Sequence, residues 1–120
     1  MPAYEWITYQ DKRILFMDIG VTESEVLRER IATIEPVVEK EPPHSIYCVC
    51  SVAGGKSSPE MTQMLKNFTK HNQPYMKMTA VVGVLGIQKI IYQGVLLFTG
   101  RKNLILKDSK QEALDWLVEQ

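Results

Sequence analysis

Charge of either sign is missing in net terms: 14 Lys and Arg balance 14 Asp and Glu across 120 residues. There is therefore no basic excess of the kind that meets nucleic acid, and no acidic tail. No stretch approaches the roughly 18 consecutive apolar residues that a membrane-spanning helix needs. The opening Met1-Pro2-Ala3-Tyr4-Glu5 has neither the basic residues nor the apolar run of a signal peptide. The expectation is a cytoplasmic protein with no membrane span and no nucleic-acid partner.

Cysteine is scarce, with only Cys48 and Cys50 present. They lie two apart in an apolar run, so on a strand their side chains point to the same face, in a geometry that a disulfide does not readily accept. Both are read as reduced core residues. The C-x-C spacing also lacks the C-x-x-C knuckle of zinc sites, and His44 and His71 stand isolated, so no metal is expected. Asp18, at the end of an apolar strand, has no nucleophile or second acid to pair with and reads as a carboxylate capping a turn. With no catalytic set and no cofactor motif, the chain is expected to be no enzyme and to bind no cofactor.

What is present is the composition of one globular domain over 1–120, with 45% hydrophobic and 23% charged residues. Tyr4–Tyr9 and Ile14–Ile19 are rich in aromatic and β-branched residues and flank the polar Gln10-Asp11-Lys12, the pattern of a hairpin. Thr22 and Glu25 have the spacing of a capping box for a first helix. Leu27, Ile31, Ile34 and Val38 form its inner stripe, with Glu23, Glu29, Arg30 and Glu35 outside, and Pro36 predicts a break or kink near Thr33. Pro42-Pro43 stops this segment before a third strand, Ile46–Val52. Ser58 followed by Pro59 reads as an N-cap with proline at the first helical position, ahead of the stripe Met61, Met64, Leu65 and Phe68.

The unbroken apolar run Met78–Val82 reads as a strand buried on both faces, central in the sheet. It leads through Gly83 to Gly86 into a third helix carrying Ile87, Ile90, Ile91, Val95 and Phe98, with Gly94 on the same face and Gly100 as its stop. Leu104–Leu106 gives a last strand. Ser109 and Glu112 cap a final helix with Ala113, Leu114, Leu117 and Val118 on one side and Trp116 off the stripe. The alternation predicts an α/β fold: a mostly parallel five-stranded sheet with an antiparallel N-terminal edge strand, flanked by four helices.

Pro74-Tyr75-Met76-Lys77, then Ala80-Val81-Val82-Gly83-Val84-Leu85-Gly86, and Glu112-Ala113-Leu114-Asp115-Trp116-Leu117 at the end, set in this element order, resemble the SpoIIAA-like branch of the STAS domains. The resemblance spans nearly the whole chain. It implies a small bacterial domain, often a homodimer, similar in shape to anti-sigma-factor antagonists and to lipid-carrying Sec14-type domains. In the better-understood STAS proteins a serine at the start of the helix after the third strand accepts a phosphate. Ser57 or Ser58 holds that place here, but the Asp-Ser or Asp-Thr pair that introduces such a site is missing from Ala53-Gly54-Gly55-Lys56-Ser57-Ser58.

Two loops have the chemistry of an anion or partner site. Gly54, Gly55, Lys56, Ser57 and Ser58 combine flexible glycines, a lysine, hydroxyls and a helix N-terminus. A Walker motif would require glycine at position 50, which is Cys50. Gly83 and Gly86 repeat the arrangement after the next strand, without the G-x-G-x-x-G of a dinucleotide fold. An ordinary strand-to-helix turn with a serine cap is the commoner reading of the first loop, and tight turning with close helix packing explains the two glycines of the second about as well. If both lie on one sheet edge, their combined surface is the expected site. The function expected is that of a regulatory or protein-interaction module. The alternative is a carrier of a small apolar or anionic, lipid-like ligand, for which Met61, Met64, Tyr75, Met76 and Met78 supply adaptable apolar surface. Methionines at helical spacing are otherwise core.

Overall fold

The structure, a computed structural model, describes residues 2–56, 58–85 and 103–120. The helix expected over Ile87–Phe98, with Gly94 and Gly100, lies outside these residues, as do Ser57 and Gly86. Among the described residues the elements are β1 (Tyr4–Tyr9), β2 (Lys12–Asp18), α1 (Ser24–Glu39), β3 (Ile46–Ser51), α2 (Pro59–Asn72), a 3-10 turn (Gln73–Tyr75), β4 (Met76–Val82), β5 (Leu104–Lys107) and α3 (Lys110–Leu117).

The five strands lie side by side in chain order. β1 pairs antiparallel with β2 from Tyr4↔Met17 to Tyr9↔Lys12, and every later neighbour is parallel. The hairpin turn is thus only Gln10-Asp11, and Lys12 belongs to the strand. Both turn residues have positive φ, 49° and 66°, as a two-residue turn matching the strand twist requires, although neither is the glycine or asparagine that adopts it most cheaply. β4 is paired on both sides, but the middle strand is β3, not β4 as its apolar run predicts. Both strands are buried on both faces, so the hydrophobic pattern does not distinguish them.

Strand alternation divides the core in two. Leu15, Met17, Cys48, Cys50, Met76 and Val81 face Leu27, Ile34 and Val38 of α1 and Met61 and Phe68 of α2. Ile14, Val49, Ala80 and Val82 face Ala113, Leu114 and Leu117 of α3. Burying a side chain such as Leu27 or Ile34 contributes about 1.5–3 kcal/mol against leaving it exposed. Met61 and Met76 are core residues, and the half-buried Met64, Met78 and Tyr75 pack against the core.

Three expectations for α1 need correction. Its N-cap is Glu23, which makes no side-chain cap bond, so Thr22 and Glu25 form no capping box. The helix runs unbroken through Pro36. Ala32, whose carbonyl loses its partner there, and Pro36 itself lie on the exposed face, where water can serve instead. Arg30 does not face away: its Nη1 donates to Asp18 O at 2.9 Å and lies 3.7 Å from the Asp18 carboxylate.

Candidate functional site

Because β2, β3 and β4 are parallel, their carboxyl ends share one rim, and the loops after all three meet there. The contact is backbone against backbone. A Cβ placed on Gly83 would sit 2.5 Å from Ala53 N, one on Gly20 2.1 Å from Ala53 O, and one on Gly55 3.3 Å from Gly20 Cα. Val52 N donates to Val82 O and Ile19 N to Ser51 O, carrying the ladder past the strand ends. The two glycine corners expected to form a joint surface, Gly54-Gly55 and Gly83, therefore do lie together on one rim.

Around them the local chemistry is largely satisfied from within. Ala53 N donates to Ser51 Oγ at 3.3 Å, Gly55 N to Val52 O at 3.2 Å and Lys56 N to Val21 O at 3.2 Å. Those three amides point into the protein and not toward a bound anion. Ser58 is the N-cap of α2, its Oγ accepting from Met61 N at 3.1 Å, with Pro59 in the first turn, as the sequence predicts. Asp18 plays the turn role read for it, accepting from Gly20 N at 3.1 Å. Burial, and after it the Asp18 charge, push the Cys50 thiol up to about 12, so it stays protonated and unreactive. Neither cysteine is in a disulfide, and both are buried.

Toward solvent the rim is different in character. Residues 53–56 are exposed, with Gly54 at φ 78° and nothing within 4 Å of the place a Cβ would take. Leu85, two residues beyond Gly83, is 78% exposed. It is the one large apolar side chain left exposed among the described residues.

The sequence pattern gives no sign of two further features. At the C-terminal ends of α1 and α2, His71 bridges the helices: Nε2 lies 2.7 Å from Glu39 Oε1, while Nδ1 lies 2.8 Å from Asn72 Oδ1 and 3.6 Å from Glu35 Oε2. The carboxylates stand on opposite ring nitrogens and do not converge on one cation. Among the described residues no group of three or more His, Cys, Asp or Glu is arranged to hold a metal. The other feature is a cavity of about 450 Å³ on the opposite rim, between the β1-β2 hairpin and the loop from α1 to β3. Both depend on residues about thirty apart in the chain, beyond the reach of local periodicity.

Among the described residues no helix is long and apolar enough to cross a membrane. No protein-family model matches the chain, and no curated protein sequence does. In structure the chain is similar to an uncharacterised DUF3478-family protein of Shewanella loihica PV-4, whose crystal structure is described as having a SpoIIAA-like fold. The TM-score is 0.71 and the sequence identity 21%, over 96% of this chain and 92% of that one. The mixed five-stranded sheet, its antiparallel first strand and the helices on its two faces are thus an α/β fold of the SpoIIAA-like kind.

Proposed function

We propose that this chain is a non-enzymatic regulatory or protein-interaction module, similar in shape to anti-sigma-factor antagonists, that works through the carboxyl rim of its sheet. The observation that carries this reading is the exposed loop 53–56 on the same rim as the bare Leu85, anchored by the close approach of Gly83 and Ala53. Gly54, Gly55, Lys56, Ser58 and Gly83 are its described residues, and Ser57 and Gly86 complete it in sequence. Inward-pointing amides at Ala53, Gly55 and Lys56 favour a protein partner over a small anion, since a partner contacts side chains and loop surface and needs no cradle of free N–H groups. Ser58 serves the helix as a cap, which leaves Ser57 as the hydroxyl to examine for phosphorylation.

Affinity capture at native expression level tests this. The wild-type chain is expected to retain a discrete partner that Leu85→Asp and Lys56→Glu lose while their circular dichroism is unchanged. A chain that retains none, or variants that retain the same partner equally, contradict the reading.

A further inference from the structure

On the amino rim, far from those loops, the hairpin and the α1-β3 loop face each other across the 450 Å³ cavity. Its size falls in the range of small-molecule sites, roughly 300–1,000 Å³. One wall is Trp6, and over its ring lies the Arg13 guanidinium, 3.5 Å from the centroid. From the other side of the cavity Glu41 reaches Arg13 Nη1 at 2.6 Å. A carboxylate is thus already seated on the guanidinium, supplied by the chain itself.

Two properties make that seat exchangeable. The pair lies at the surface, with the Arg13 side chain 56% exposed and that of Glu41 20%, and surface ion pairs contribute little to stability. Arg13 is held independently by its stacking on Trp6, so it keeps its position if Glu41 swings away, and its planar fork has further N–H groups to offer. Lys12, the preceding residue of β2, sends its ammonium to the other face of the sheet, where it donates to Leu117 O and Gln120 O and lies 4.0 Å from the Tyr47 ring centroid.

The charges present select the occupant. With the Lys12 ammonium engaged on the α3 side, Arg13 is the cation that meets a ligand here and Asp11 and Glu41 stand in the same lining, so a multiply charged phosphate meets two carboxylates against one guanidinium, whereas a single carboxylate merely takes the place of Glu41. Pro42 and the Trp6 edge give such a ligand an apolar wall for its carbon body. We propose that this cavity binds a small organic monocarboxylate, its carboxylate on Arg13 in place of Glu41 and its apolar part against the Trp6 wall. This site is separate from the partner surface and goes beyond that reading.

The test is a titration of the ¹⁵N-labelled full chain with sodium benzoate to about 10 mM, ten times a millimolar Kd, against sodium chloride at equal concentration. Saturable amide shifts confined to residues 10–13 and 41–47 are expected, and Arg13→Ala abolishes them. Glu41→Gln, which releases Arg13 from its internal carboxylate, is expected to tighten benzoate by about two- to five-fold, the worth of an exposed ion pair. Shifts no different from those with chloride, shifts centred elsewhere, or a Glu41→Gln affinity equal to or weaker than wild type overturn the proposal.

Discussion

Gly83 and Ala53 approach so closely that a methyl group on Gly83 would lie 2.5 Å from the Ala53 amide nitrogen and 2.7 Å from its Cα. This contact joins the loops after β3 and β4 and defines the rim on which the functional reading rests. Gly83 also has φ 87°, where a side chain is strained whatever the space around it.

Gly83→Ala is therefore expected to destabilise the fold by about 2–4 kcal/mol, combining left-handed strain with a clash against backbone. Gly54 has a similar φ of 78° but open space around it, so Gly54→Ala should cost only about 1 kcal/mol. Thermal unfolding of the two variants checks this: at roughly 3–5 °C per kcal/mol, Gly83→Ala melts well below Gly54→Ala. Equal losses would mean that the close contact contributes nothing.

The Ser58 hydroxyl closes the first turn of α2 by accepting from Met61 N. Ser58→Ala should cost about 1 kcal/mol, while Ser58→Asp, which also caps well and suits the helix N-terminus, should stay within about 0.5 kcal/mol of wild type. Urea midpoints measure both. A Ser58→Ala variant as stable as wild type would remove the capping role.

His71 makes stability depend on pH with a definite sign. Its burial lowers the pKa, but hydrogen bonds to Asn72 and Glu39 and the charges of Glu35 and Glu39 outweigh that and hold it above the ordinary 6.5. A raised folded-state pKa means that the native chain binds this proton more tightly than the unfolded one. The contribution is fully present below pH 6.5 and is lost as pH rises through the folded pKa. Urea midpoints should fall over that interval in wild type more than in His71→Gln. Parallel pH profiles for the two proteins would show that the bridge between α1 and α2 adds no stability.

Local patterns made much of this legible. Ser58-Pro59, the stripe Met61 to Phe68, the Ser109 cap and the alternation of apolar runs with helices all depend on neighbours a few residues apart, and the structure follows them. The expectations that fail are of two kinds, some of longer reach and some of local backbone geometry. Arg30 reads as an outward charge but is drawn to Asp18 across the β2-α1 loop. Glu23, and not Thr22, begins α1 because the backbone bond from Leu27 N to Glu23 O sets the first turn. The order of β3 and β4 is not written in their composition, since two strands covered on both faces look alike. That the glycine corners share a rim follows from parallel pairing, so it is readable once the alternation is. The Arg13–Glu41 seat, joining a hairpin to a distant loop, is not.

The carboxyl rim is the surface through which the chain is proposed to meet another protein. The direct measurement is site-specific photo-crosslinking in the producing cell, with the photoreactive residue placed at Lys56 or Leu85 and, as a control, at the exposed Glu5 of β1. A discrete adduct from both rim positions and none from position 5 is the predicted result. Absence of adducts at the rim, or the same adducts from all three positions, would contradict it.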